Sequence, residues 1–235
     1  MLDVVTGLVL ILVPVTFNVA FFALGRAFDY PDILRREPDE ILRRFDAGGA
    51  GLILRWEALV VSAIGMIPLA ILLPVALGGP ASWSLLSMGL GIAAGLVQAI
   101  GLARWPFAVP ELARRYVAAD AAGGDPVEAL ATRRSVEVTF ATMHRLLGVG
   151  VGEHLGYLLT GLWTLSAAGL LVSTTSVPTW LGWAGVPIGL AILVGALEFV
   201  GPNEPEGWPL AGLVVPVAYV AWSLWLIILG ILIAI

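Results

Sequence analysis

The chain has 235 residues, 59% of them hydrophobic and 12% charged, with a mean hydropathy of +0.97, which exceeds what a water-facing surface tolerates and excludes the ordinary soluble classes. A polytopic membrane protein remains, because 235 residues suffice for about six helices of ~20 residues and leave over no large soluble domain. The net charge is −5, yet the two stretches that carry every arginine are nearly neutral, six Arg against seven acids in 26–57 and six against five in 104–145, so no nucleic-acid partner is expected.

In chain order, the first apolar run is Val4 to Leu24. It lacks the basic leader and small-residue cleavage site of a signal peptide and is expected to be retained as a span. Further runs follow at Ala58–Leu77, Trp83–Ala103, Val151–Ser173, Trp180–Val200 and Leu210–Ile235, each near the ~20 residues that cross a hydrocarbon core. The expected fold class is all-α, a polytopic transmembrane helical bundle of about six spans with cytoplasmic amphipathic helices, forming a single integral membrane domain over 1–235.

There is no lysine, and all twelve arginines fall between Arg26 and Arg55 or between Arg104 and Arg145. Short Arg-rich loops are poorly translocated and stay inside. The expected location is the cell membrane, with residues 25–57 and 104–150 cytoplasmic, the turns 78–82 and 174–179 outside, and both termini outside. The turn at 201–209 would be cytoplasmic without any arginine, and its acids count little in orientation.

The first basic stretch holds a tandem repeat, Pro31-Asp32-Ile33-Leu34-Arg35-Arg36 and Pro38-Asp39-Glu40-Ile41-Leu42-Arg43-Arg44. Each copy reads as a helical turn opened by Pro, with Asp32 and Arg36, and Glu40 and Arg44, as i,i+4 pairs. Ile33, Leu34, Ile41, Leu42 and Phe45 supply an apolar side for lying on the interface, with Arg reaching the headgroups. After Asp120 to Pro126 a second helix restarts, with Val136, Phe140, Met143 and Leu147 on one face. From Val136 to Ser173 is 38 residues, about 57 Å of helix, which overhangs a ~30 Å core, so a break or kink is expected at Gly148-Val149-Gly150-Val151-Gly152.

Depth assignment exposes the chemistry. Asn18, Glu57, Gln98, Arg104, Glu153, His154 and Glu198 all fall toward the inner ends of their spans. The outer halves hold hydroxyl residues such as Ser84, Ser87, Ser166 and Ser173, which can satisfy themselves on the helix backbone. A charge at membrane depth costs at least ~2.5 kcal/mol unless it is paired or reaches water, so Arg104 is expected to meet Glu57 or Glu153. Candidate ligand-binding residues are Asn18, Gln98, Arg104, Trp105, Glu153 and Glu198. If the protein is catalytic, Glu57 or Glu153 would act as general acid/base, His144 or His154 as proton shuttle, and Arg104 would orient an anionic headgroup. Alternatively such end-of-span groups simply snorkel to the interface.

No metal is expected. His144, Glu153 and His154 are ligands of usable type, but the histidines are ten residues apart, about 15 Å along a continuous helix, and cannot share one ion. The chain has no cysteine, HExxH or i,i+3 Glu/His pair. Either histidine could serve haem and neither is singled out, so the cofactor stays open.

Trp56, Trp105 and Trp208 fit an inner interfacial belt and Trp83, Trp180 and Trp183 an outer one. Trp163, Trp222 and Trp225 fall near mid-span, where they fill gaps between helices or line a lipid-like pocket. Gly91 and Gly95, Gly152 and Gly156, and Gly185 and Gly189 form GxxxG pairs that let helices approach closely.

Arg104 to Ala113, then His144-Arg145 leading into Gly148-Val149-Gly150-Val151-Gly152-Glu153-His154-Leu155-Gly156, and a last third with Trp163, Pro178-xx-Leu181-Gly182 and a Leu- and Trp-rich closing span, together resemble a prokaryotic multi-pass membrane family catalogued as a domain of unknown function (DUF4386-like). The resemblance runs over most of the chain. It implies a multi-helix membrane fold, brings no activity, cofactor or substrate, and draws attention to Arg104-Trp105 and Glu153-His154. Three functional readings follow. The first is a non-enzymatic membrane protein, an accessory subunit or small-molecule or lipid binder whose polar site opens to the cytoplasmic leaflet, with the bilayer, other membrane subunits or a second copy as partners. The second is a membrane enzyme acting on a lipid or other apolar substrate. The third is a transporter, disfavoured because polar groups are sparse in the outer half and no inverted repeat is visible.

Overall fold

The computed structural model describes residues 1–121, 125–204 and 206–235, so Ala122 to Gly124 of the expected 120–126 linker and Pro205 of the 201–209 turn lie outside the described residues. The described chain is helical, without strands: α1 (Leu2–Phe28), a 3-10 turn (Asp32–Arg35), α2 (Pro38–Leu77), α3 (Ala81–Phe107), α4 (Val109–Ala121), α5 (Pro126–Met143), a π-helical segment (His144–Leu155), α6 (Gly156–Val172), α7 (Trp180–Gly195), a 3-10 turn (Gly201–Asn203) and α8 (Pro209–Ala234). Five helical stretches are long and apolar enough to cross a membrane: α1, α2, α3 continued into α4, α5 continued through α6, and α8. The protein is an integral membrane helical bundle.

The sixth expected span is shorter than the sequence suggests. Apolar residues run to Val200, but α7 stops at Gly195, giving 16 residues, about 24 Å of helix. Beyond it the backbone tightens into i→i+3 turns, and the Trp208 amide donates to the Glu198 carbonyl at 2.7 Å, which folds the chain back toward α8.

α1, α2, α3, α6, α7 and α8 form a closed ring, each packed on its two neighbours and α8 returning to α1. Its interior is filled by Leu10, Met66, Leu69, Trp163, Trp222 and Trp225 among others. The mid-span tryptophans are therefore gap fillers: Trp222 donates Nε1 to Thr164 Oγ1 at 3.0 Å and Trp225 to the Leu181 carbonyl at 2.9 Å. At one end of the ring the loop after α6 bonds back to α2, with Ser176 Oγ donating to the Leu77 carbonyl at 3.2 Å. Ser84, Ser166 and Ser173 donate to nearby helix carbonyls as expected, whereas Ser87 is buried without a partner among the described residues.

All the arginines lie at the other end, where the start of α2 packs on α4 and α4 on α5. α2 is two helices joined at Gly49, whose φ of +53° and ψ of −152° turn an amphipathic arm, residues 38–48, into the spanning part. Arg43 pairs with Asp39 and Asp120, Arg133 reaches Asp120 at 2.7 Å, and the Tyr116 hydroxyl lies 2.9 Å from carboxylate oxygens of Asp39 and Glu137. Beneath this layer sits a second core of Phe28, Phe45, Trp56, Trp105 and Phe140. Trp56 and Trp105 are fully buried and stacked with centroids 4.4 Å apart, so they are core residues and not members of an interfacial belt.

The repeat does not form two equal turns. Its first copy is the 3-10 turn, with Ile33 and Leu34 buried, and its second opens α2. Glu40 meets Arg44 at 3.2 Å as expected, but Arg36 pairs with Asp29 and Glu40 and leaves Asp32, because a 3-10 turn does not bring i and i+4 side chains together.

The glycine run produces no break. The helix from α5 to α6 is continuous and changes its winding to i→i+5 over His144–Leu155. The physical reason lies in α3. A Cβ on Gly101 would stand 2.7 Å from Gly152 Cα, and one on Gly148 would stand 2.7 Å from Arg104 Nη2, so the wound segment fits only where side chains are missing.

Candidate functional site

At the arginine-bearing end a cavity of about 380 Å³ opens between α1, α3, the π segment and α8, with the 3-10 turn across it. Asn18, Gln98, Arg104, Trp105, Glu153 and Glu198 all line it. Glu57, His144 and His154 do not. Glu57 Oε2 is buried without a partner among the described residues. His144 donates Nε2 to the Leu34 carbonyl at 3.2 Å, which fastens the 3-10 turn to the π segment. His154 donates Nδ1 to the Ala196 carbonyl at 2.6 Å, capping the open end of α7, and faces a smaller crevice of about 240 Å³ that Glu153 and Arg145 also line. Each histidine thus spends one ring nitrogen on a backbone carbonyl, which fixes its tautomer and leaves the other nitrogen as the acceptor.

The two amides are fixed by partners on neighbouring helices. Asn18 Nδ2 donates to Ser223 Oγ at 2.9 Å, closing the seam of α1 and α8, and Gln98 Nε2 donates to Thr160 Oγ1 at 2.7 Å. Tyr30, Tyr157 and Tyr219 complete the wall. Burial pushes the Tyr30 hydroxyl up to about 12, so it stays neutral.

Arg104 departs from expectation. It is 7% exposed, its Nη1 donates to the Gly101 carbonyl, and its Nε has no partner among the described residues. None of the ion pairs among the described residues includes it, so neither Glu57 nor Glu153 lies within ion-pair distance of it. Its guanidinium sits 5.2 Å from the centroid of the Trp105 ring, a cation–π contact that offsets part of the burial cost.

Glu153 pairs instead with Arg35, Nη2 to Oε2 at 3.2 Å, and the same Nη2 is 4.0 Å from Glu198 Oε1. Arg35 also lies over the Phe199 ring at 4.5 Å. Burial and the neighbouring Glu153 hold the Glu198 carboxyl above the usual carboxylate range, against the pull of Arg35. Arg35 was hidden in the sequence by its place in an amphipathic repeat. The signal that sets it apart is the shorter first copy, which lacks the acid at the position of Glu40 and so breaks the α-helical register. Among the described residues no three His, Asp or Glu side chains stand close enough to hold a metal ion.

Residues 5–230 match a family model described as "Domain of unknown function (DUF4386)". No curated protein and no solved structure matches the chain.

Proposed function

The chain belongs to the DUF4386 family, a domain of unknown function, and from its cavity we propose that it is a non-enzymatic membrane protein that binds a small amphipathic molecule. The observation that carries this reading is the lining of the 380 Å³ cavity, where polar groups on α1, α3, the π segment and the turn after α7 converge between aromatic walls. A concave apolar site with a few fixed polar groups is the usual form of a small-molecule site. The cavity also reaches the outer face of the bundle, because Val220 lines it and is 56% exposed, so an occupant with a chain can enter sideways from the bilayer.

We place the protein in the cell membrane with the arginine-bearing end in the cytoplasm and both termini outside, since clustered arginines resist translocation. The site then opens to the inner leaflet. Native mass spectrometry of the detergent-solubilised chain tests the binder reading: one saturable equivalent of amphiphile is expected. Finding no saturable adduct across neutral, anionic and zwitterionic amphiphiles would remove it.

A further inference from the structure

The cavity holds a buried cation that makes no contact ion pair among the described residues and, apart from it, two carboxylates that share one arginine. On one side is Arg104, 7% exposed, whose Nε has no partner and which makes no contact ion pair among the described residues. An arginine does not discharge by losing its proton, so the position calls for an anion. On the other side Glu153 and Glu198 share the single Arg35, at 3.2 and 4.0 Å, leaving one carboxylate in excess. The charged residues lining the cavity are two arginines, Arg35 and Arg104, against three acids, Glu153, Glu198 and the exposed Asp32. Two minus three leaves the lining at −1, so a simple anion drawn to Arg104 would enter a field already negative, and a simple cation would leave Arg104 bare.

We propose that the occupant is a zwitterionic amphiphile, its phosphate or carboxylate seated on Arg104 and its ammonium on Glu198 and Glu153, with its chain leaving past Phe17, Pro216 and Val220. The inference rests on the binder reading above. Its geometry follows from the ring: Arg104 closes α3, while Glu153 and Glu198 come from the π segment and from the turn after α7, so the two charges of the head are held by different elements. Phe17 and Val220 line the same cavity as Arg104, which gives the chain an apolar wall beside the head's partners. Gln98, Tyr30 and Tyr157 line the same cavity and offer the head further polar groups, Gln98 through its amide oxygen.

The test titrates the purified full chain in detergent with two-chain lipids of identical acyl composition that bear phosphoethanolamine, phosphoglycerol or only a free hydroxyl, and with soluble O-phosphoethanolamine as the head alone. Binding is read by native mass spectrometry. The phosphoethanolamine lipid is expected to bind about tenfold or more tighter than either other lipid, the scale of a hydrogen-bonded charge contact. Arg104→Gln is expected to bring it down to the neutral lipid. Glu198→Gln is expected to bring it down to the level of the phosphoglycerol lipid, whose own binding stays equal or rises because the lining loses a negative charge. Arg115→Gln, at an exposed side chain that among the described residues pairs only with Glu111, is the control and changes nothing. Tryptophan-fluorescence melting reports whether each variant folds. Should Arg104→Gln fail to fold, the headgroup series on the unmodified chain decides alone. Equal binding of the phosphoglycerol or the neutral lipid overturns the zwitterion while the binder reading stands. Equal binding of soluble O-phosphoethanolamine overturns the amphiphile, and no saturable binding of any probe overturns both.

Discussion

Single atoms decide much of this bundle. Gly101 and Gly89 lie on the same helix, α3, and differ only in what faces them. A Cβ at Gly101 would stand 2.7 Å from Gly152 Cα and 2.8 Å from the Leu147 carbonyl, both backbone, whereas one at Gly89 meets nothing within 4 Å. Alanine in a helix interior is favoured over glycine by about 1 kcal/mol, while overpacking costs about 1–3 kcal/mol. The clash therefore wins at Gly101, and Gly101→Ala is expected to lower the melting temperature in detergent while Gly89→Ala leaves it equal or higher. The opposite order would mean that α3 and the π segment are not in backbone contact. The same contact explains why Arg104 can lie where it does, since Gly148 yields the volume its guanidinium fills.

At the scale of elements, α2 owes its shape to one torsion. Gly49 has open space around it, so alanine would not clash there, but its φ of +53° with ψ of −152° is a conformation L side chains avoid. Gly49→Ala is expected to cost about 1–3 kcal/mol through backbone strain alone. Unfolding of the purified variant measures the loss, and exchange of amide hydrogens should rise first in the arm 38–48 and in α4, which packs on it. An unchanged exchange pattern would show that the arm is held by its ion pairs and not by the bend. The arm was readable as an amphipathic helix from its repeat, yet the 3-10 winding of the first copy was not, because its geometry is set by Ile33 and Leu34 entering the core and by His144 reaching the Leu34 carbonyl. Likewise the glycine run signalled a change in the long helix, and packing against α3 made that change a rewinding in place of a break.

For the molecule as a whole, the gathering of every arginine at one end of the ring leads to a topology experiment. The chain has no cysteine, so single replacements report cleanly. Ser82→Cys, exposed beside the start of α3, is expected to react with an impermeant maleimide in intact cells, and Glu128→Cys, exposed near the start of α5, only after permeabilisation. The reverse pattern would invert the proposed orientation and place the cavity in the outer leaflet. The sequence by itself determined that the chain is a membrane-embedded helical bundle with its arginines at one end, because hydropathy and arginine placement are read along one dimension against a fixed bilayer thickness. It also brought Asn18, Gln98, Arg104, Glu153 and Glu198 to one depth. Only the tertiary structure decided which of them meet. Pairing within a level depends on the order of helices around the ring and on how far each is rotated, and neither leaves a trace in spacing. Hence Glu153 is paired with an arginine from a 3-10 turn, Arg104 makes no contact ion pair among the described residues, and Trp56 and Trp105, which share their depth with interfacial residues, are stacked in a core.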